Sequence, residues 1–452
     1  MTKKNIIQTY LERYAEPESK IELPNSSKYQ WKYAVVIPAC GEDELLPKTL
    51  SSIENTSVVS SEILVIIIIN AAIDRASMYH ESNKKTLAWI ERKSSHQLEI
   101  KNDTPINLYQ WNQLSLLIVN RFNEPYLLPK KQGVGLARKI GCDIAVKLFF
   151  KQHISNQWIH NTDGDALVPK NYFHQVDVSS EQQNASCFIY PYRHIKDNST
   201  DSEQHLSYWE AVTDYELWLR YYTTGLKWAR SPWAFPSIGS LLACKVSSYA
   251  HIRGIPRKIA AEDFYFQNKL AKTGSMIALR GEPIELITRP SERVPFGTGR
   301  GTIKITDLKS QGQPFLVYDP QVFYILKIIL ASVKNWVENN HDEIFWQEIG
   351  RNIESAKQDE LLKVINQFDF LHALKEAKKR SRDSKGNLNQ FNQWFDGFKT
   401  LRFIHEIRDH VLGELPIIEA IKQSPFLPNY YNCDPEFILN SLRDADGVTQ
   451  ET

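Results

Sequence analysis

Trp158-Ile-His-Asn-Thr-Asp-Gly-Asp-Ala-Leu-Val-Pro169 reads as a short buried strand that runs straight into two carboxylates, Asp163 and Asp165, separated by a glycine. A strand end fixes the direction of the backbone, and Gly164 lets the chain turn where a side chain would crowd a ligand. Both carboxylates can then converge on one hard cation such as Mg2+ or Mn2+, which keeps room for phosphate oxygens. Taken alone, Asp-Gly-Asp is equally the composition of an acidic surface turn. Its neighbours in the chain decide between the two readings.

Working outward, Tyr33-Ala-Val-Val-Ile-Pro38 is a compact apolar run stopped by proline, the pattern of a strand buried on both faces. Glu62-Ile-Leu-Val-Ile-Ile-Ile-Ile-Asn70 is almost entirely β-branched, and Leu114-Ser-Leu-Leu-Ile-Val-Asn120 is a third such run. Between these runs, residues 45–53, 84–93 and 136–151 carry apolar positions at helical spacing. Apolar strands alternating with helices predict an α/β fold built on a doubly wound, mostly parallel sheet. Ligands bind such sheets beyond the carboxyl ends of the strands, where Pro38, Asn70, Asn120 and Asp163 all fall.

Composition narrows the partners. The chain has 452 residues and a formal net charge of +1, so there is no overall basic field to attract nucleic acid. Its 11 Trp and 20 Tyr are read mainly as core. Cys40, Cys142, Cys187, Cys244 and Cys433 occur singly, which points to a reduced, cytoplasmic protein and away from a zinc site or disulfide framework. The first residues lack the apolar core of a secretory signal, and no segment reaches membrane-spanning length.

Three stretches, taken together and in this order, resemble the family 2 type of nucleotide-sugar glycosyltransferase with the GT-A fold. They are Val35-Val-Ile-Pro-Ala-Cys-Gly-Glu-Asp43, the Asp163-Gly-Asp165 triplet, and Ala261-Glu-Asp-Phe-Tyr-Phe-Gln-Asn-Lys-Leu-Ala-Lys-Thr-Gly274. The resemblance covers residues 31 to about 300. Cys40-Gly41 stands where the family usually carries an aromatic residue and Asn, and Asn70-Ala-Ala-Ile-Asp74 stands where many members carry Asp-Asp-Gly-Ser.

The resemblance implies a metal-dependent transfer of a sugar from a UDP- or GDP-linked donor to a hydroxyl acceptor. Pro38, Ala39, Glu42 and Asn70 would frame the nucleotide, with Asp74 beside them. Lys131 and Arg138, in the glycine-rich entry to a helix, would face the diphosphate, where backbone N–H groups also favour anions. Asp163 would sit near the ribose or the metal, Asp165 would be the principal metal ligand, and no histidine nominates itself as a third. Asp263 would deprotonate the acceptor hydroxyl, with Glu262 beside it holding the acceptor or tuning the base. Inversion at the sugar is the expected outcome, and retention stays open. Acidic residues in a first helical turn also offset the helix dipole without any catalytic role.

Further segments bear on the acceptor and the architecture. Trp228-Ala-Arg-Ser-Pro-Trp-Ala-Phe-Pro236 either stacks on a sugar ring or seals a sheet edge. Residues 291–302 read as a basic, glycine-rich mobile lid in which Arg293 or Arg300 meets an anion. Residues 1–30 read as a helical or loosely docked leader, 31–305 as the catalytic domain and 306–452 as a helical domain. In the last, residues 322–337, 342–356, 361–379 and 390–412 are helical, 378–386 is a basic loop suited to peripheral membrane contact or solvent, and the final residues from Asp444 are disordered. The helical domain is also where a homodimer contact is expected. Two other functions fit the same architecture: a sugar nucleotidyltransferase, which would want basic rather than acidic residues after the first strand, and a non-catalytic nucleotide-sugar binding module, which would lack the carboxylates.

Overall fold

The computed structural model describes residues 3–74, 77–179, 184–196, 203–258, 261–291, 297–352 and 358–449. The chain divides into two compact units, one formed by Met1–Ser202, Ser237–Gly301 and Arg443–Thr452, the other by Glu203–Pro236 and Thr302–Leu442. Glu203–Pro236, kept with the catalytic domain in the sequence reading, falls in the second unit. It contains a 26-residue helix, Glu203–Trp228, that the apolar spacing in the sequence does not mark.

The first unit is built on strands β1 (Tyr33–Ala39), β2 (Ile63–Asn70), β3 (Ser95–Ile100), β4 (Ile106–Trp111), β5 (Leu114–Arg121), β6 (Trp158–Asn161), β7 (Ala166–Leu167), β8 (Ala185–Ile189), β9 (Tyr192–Ile195), β10 (Leu242–Lys245), β11 (Ser275–Ala278) and β12 (Ile284–Ile287). Nine of them form one sheet in the order β11-β8-β10-β6-β1-β2-β5-β4-β3. Its centre, β6-β1-β2-β5, is parallel throughout, and β1 and β2 are buried at every position. This is the α/β sheet that the β-branched runs predict, with helices such as Gly133–Phe150 and Ser77–Lys93 connecting its parallel strands.

Antiparallel strands flank that centre on both sides. The β3–β4 pair was not anticipated: β3 lies at the sheet edge and is mostly exposed, so its residues carry charge and polarity instead of the apolar run that marks a central strand. A smaller sheet, β7-β12-β9, binds the chain just after Asp165 to the strand that precedes Arg289. There Leu286 pairs with Ala166, and the Ile287 N–H donates to the Asp165 carbonyl at 3.1 Å.

The N-terminal stretch, expected as a helical or loosely docked leader, opens with a first helix, Lys3–Arg13, and is docked. Ile7, Tyr10, Glu16, Glu18 and Ile21 are buried. Tyr10 donates to Asp143, Lys139 lies 2.6 Å from that same carboxylate, and the Glu16 N–H donates to it at 2.8 Å. A buried charge held by a cation, two hydroxyls and a backbone amide has its polar atoms satisfied, which fixes the packing partner of the first helix.

The second unit is helical, with a core that includes Tyr221, Phe323, Leu326, Phe370, Phe391 and Phe403. Trp228 and Trp233 belong to it. Trp228 packs on Tyr324 and Phe426, and the Trp233 indole N–H donates to the Phe395 carbonyl at 2.9 Å; their place is the packing of this unit. The basic stretch 378–386 is mostly helical, since Phe370–Arg380 runs into it and Ser384–Trp394 out of it, capped by the Asp383 carboxylate on the Gly386 N–H.

Two other expectations change. The stretch read as a lid becomes helix from Thr298 onward, with Arg300 exposed in its first turn, whereas Arg293 lies outside the described residues. The end of the chain is ordered through Thr449: Val448 is buried, and Gly281 and Gly447 to Thr449 exchange backbone hydrogen bonds. Among the described residues, no helix is long and apolar enough to cross a membrane.

Candidate active site

Beyond the carboxyl ends of β1 and β6, five acidic side chains and two guanidinium groups form two linked clusters. The first is built on Glu42, three residues past β1. Its carboxylate is buried and pairs with Arg289 Nη2, while Arg289 Nη1 donates to the Gly41 carbonyl at 3.3 Å. The same Nη2 lies 3.7 Å from Asp165 Oδ2. Gly164 explains how the loops approach so closely: a Cβ there would meet Glu42 Cγ at 2.9 Å. Thr49 donates to the Gly164 carbonyl at 2.9 Å, holding the turn from the other side.

The second cluster centres on Arg138, from the second turn of the Gly133–Phe150 helix. This guanidinium is only 3% exposed. Nη2 donates to Asp163 Oδ1 at 2.8 Å, and Nε lies 3.8 Å from Glu262 Oε1. Nε and Nη1 have no hydrogen-bond acceptor among the described residues. Gly239 fits between Arg138 and Asp263, where a Cβ would stand 3.2 Å from both Arg138 Nη2 and Asp263 Cβ. Arg138 therefore touches the carboxylate at the end of β6 and the acidic start of the Glu262–Leu270 helix together.

Burial sets the proton affinities. It raises Asp165 to about 6, with the neighbouring Asp163 charge adding to the rise and Arg289 opposing it. It raises Glu262 to about 7, Asp263 adding and Arg138 opposing. Asp263 is also raised, again chiefly by burial, against its hydrogen bond from the Phe264 N–H at 2.7 Å. The helix start that carries this pair is bent by Ala261, whose φ of 57° is left-handed and uncommon for a residue with a Cβ.

The remaining candidates frame this arrangement at different distances. Pro38 and Ala39 end β1 in full burial. Asn70 is occupied in holding strand ends, since its amide donates to the Ala39 and Ile68 carbonyls at 3.0 Å each. Asn83, which the sequence reading passed over, donates to the Asn70 carbonyl at 2.9 Å and accepts from the Gly41 N–H at 3.0 Å. Asp74 lies 3.9 Å from Lys130 and is half-exposed. Lys131 is exposed on a left-handed turn with φ 64°, and among the described residues no hydrogen bond or ion pair ties it to the clusters. Arg289 was also missed. It stands two residues past the end of β12 and just before Pro290, four positions ahead of Arg293.

Asp163 and Asp165 fit a divalent cation by chemistry. Their donors are all oxygen, the kind that a hard divalent cation takes. Among the described residues no group of three His, Cys, Asp or Glu side chains could hold an ion by itself, so any ion here needs oxygens from a ligand or water.

In overall fold the chain is similar to several solved structures. One is the S. aureus TarS fragment in complex with UDP-GlcNAc, at 11% identity over 80% of this chain and 91% of that one, with a TM-score of 0.38. Another is the mannosyltransferase PcManGT from Pyrobaculum calidifontis in complex with GDP-Man and Mn2+, at 14% identity over 64% and 66%, TM-score 0.33. A third is GalNAc-T7 with UDP, GalNAc and Mn2+, at 12% identity over 67% and 53%, TM-score 0.34. No protein-family model and no curated protein matches the chain.

Proposed function

We propose that this chain is a glycosyltransferase that moves a sugar from a UDP- or GDP-linked donor to a hydroxyl acceptor, with Asp263 as the base and inversion at the sugar. The observation that carries the reading is Arg138, which contacts Asp163 at 2.8 Å and approaches Glu262 at 3.8 Å. Asp163, which this reading puts on the donor side, and the acidic helix start thereby flank a single buried guanidinium, which supports one shared site.

In this reading Glu42, Asn70 and the Ala39–Gly41 loop shape the nucleotide end, and the unsatisfied Arg138 N–H groups face the incoming negative charge. A divalent cation, Mg2+ or Mn2+, when held by Asp163 and Asp165, would supply positive charge against the departing diphosphate. Asp263, whose proton affinity burial raises, takes the acceptor's proton, and a base poised toward neutrality does this more effectively than an ordinary surface carboxylate. Glu262 beside it keeps the pair from ionising together without cost.

The test is a thermal-shift panel of nucleoside diphosphates and nucleotide sugars with and without Mn2+. Stabilisation by a uridine or guanosine diphosphate that needs the metal and disappears in Asp165→Asn is expected. No stabilisation by any nucleotide, or equal stabilisation in the variant, would replace this reading with that of a binding module whose ligand is something else.

A further inference from the structure

Two carboxylates beyond the ends of β1 and β6, Glu42 and Asp165, share one guanidinium. Glu42 is buried to 3% side-chain exposure and Asp165 to 20%, and both face Arg289. The guanidinium is pinned by its Nη atoms to Glu42 and to the Gly41 carbonyl, and its Nε is buried without an acceptor among the described residues. Arg289 thus already places positive charge beside Asp165, while keeping one buried N–H unspent. Strand β12 delivers it there through the Ile287–Asp165 backbone bond, so its position is set by the sheet.

We propose that Arg289 is a cation built into the donor site, balancing Glu42 and Asp165 while the site is empty and turning to the donor's diphosphate when a divalent ion takes over Asp165. This rests on the glycosyltransferase reading above. The physical reason is exchange of like for like. An ion on Asp165 removes the attraction that holds Arg289 Nη2 toward that carboxylate and adds repulsion. A diphosphate brings negative oxygens that a guanidinium can grip with two N–H groups in parallel, including the unspent Nε. Glu42 keeps its hold on Nη2 through the change. Arg289 and the metal are therefore competitors for Asp165 in the absence of nucleotide, and partners in its presence.

That pairing of opposite effects makes the idea testable on the whole chain. Titration calorimetry would measure Mn2+ alone, then UDP and GDP at saturating Mn2+, for the wild type, Arg289→Gln and Arg289→Lys. Removing the competitor in Arg289→Gln is expected to tighten Mn2+ alone by about tenfold, and losing a charge-assisted contact to weaken the nucleotide by roughly tenfold to a hundredfold. Arg289→Lys keeps the charge and loses the fork, so it should leave Mn2+ alone near the wild-type value and still weaken the nucleotide; it also stands in if Arg289→Gln does not fold. Weaker or unchanged Mn2+ binding in Arg289→Gln, or nucleotide affinity within twofold of wild type in both variants, would reduce Arg289 to a structural ion pair. A wild-type protein that binds neither UDP nor GDP would instead overturn the glycosyltransferase reading itself.

Discussion

Glu262 offers a stability measurement that tests the electrostatics of the site without any substrate. Its carboxyl is 7% exposed and its proton affinity is raised from 4.5 to about 7, by burial first and by Asp263 second, with Arg138 pulling the other way. Keeping such a group ionised at pH 8 costs the folded state on the order of 2–3 kcal/mol. The sign follows from the direction of the shift. A carboxyl raised on folding contributes stability that is fully present below about 4.5 and is lost as pH climbs through about 7.

Glu262→Gln removes the ionisation and keeps the shape, so the variant should match the wild type near pH 4.5 and exceed it at pH 8. For a unit of a few hundred residues this corresponds to a gain in melting temperature of roughly 5 °C at pH 8. Thermal unfolding followed by circular dichroism at several pH values between 4.5 and 8.5 measures it. A variant less stable than wild type at pH 8 would refute the reasoning, because it would mean that Arg138 holds Glu262 as a carboxylate more strongly than burial opposes it.

Other expectations follow from the same geometry. Asp263→Asn should lower the transfer rate by about 10²–10⁴-fold while leaving UDP or GDP affinity within a few-fold; retained turnover, read by nucleotide release, would remove Asp263 from the role of base. Because Asp165 titrates near 6, Mn2+ affinity should fall by about tenfold for each pH unit below that point, and a flat calorimetric profile between pH 5 and 7 would argue against Asp165 as a ligand. Gly135→Ala would place a Cβ 2.5 Å from the Lys258 carbonyl oxygen and 2.8 Å from the Pro256 carbonyl oxygen. Backbone on the far side leaves little room to yield, so a loss of roughly 1–3 kcal/mol in chemical denaturation is expected.

The parallel centre of the sheet was plain in the sequence because a strand buried on both faces has to be apolar at every position, as β2 is. The same reasoning fails for β3, whose edge position leaves it exposed and polar, and for Glu203–Trp228, whose polar and apolar residues mix around the whole helix. Of the candidate site, the clustering of Arg138 with Asp163 and Glu262 depends on the close fit at Gly239, which no spacing in the sequence reveals. Arg289 was invisible for a definite reason: it reaches Glu42 across 247 positions of sequence, through a pairing of β12 with β7 that involves only two residues on the β7 side. No local pattern encodes so short a ladder.

The bridge between Gly281 and Val448 carries a lesson about biosynthesis. A ribosome releases the chain from one end, yet the first unit receives Arg443–Thr452 only after more than a hundred residues of the other unit, Thr302–Leu442, have been made. Until then the Gly281 amide and carbonyl lack the partners that Gly447 and Thr449 give them, so removing the segment from Arg443 onward should injure the unit that was translated first.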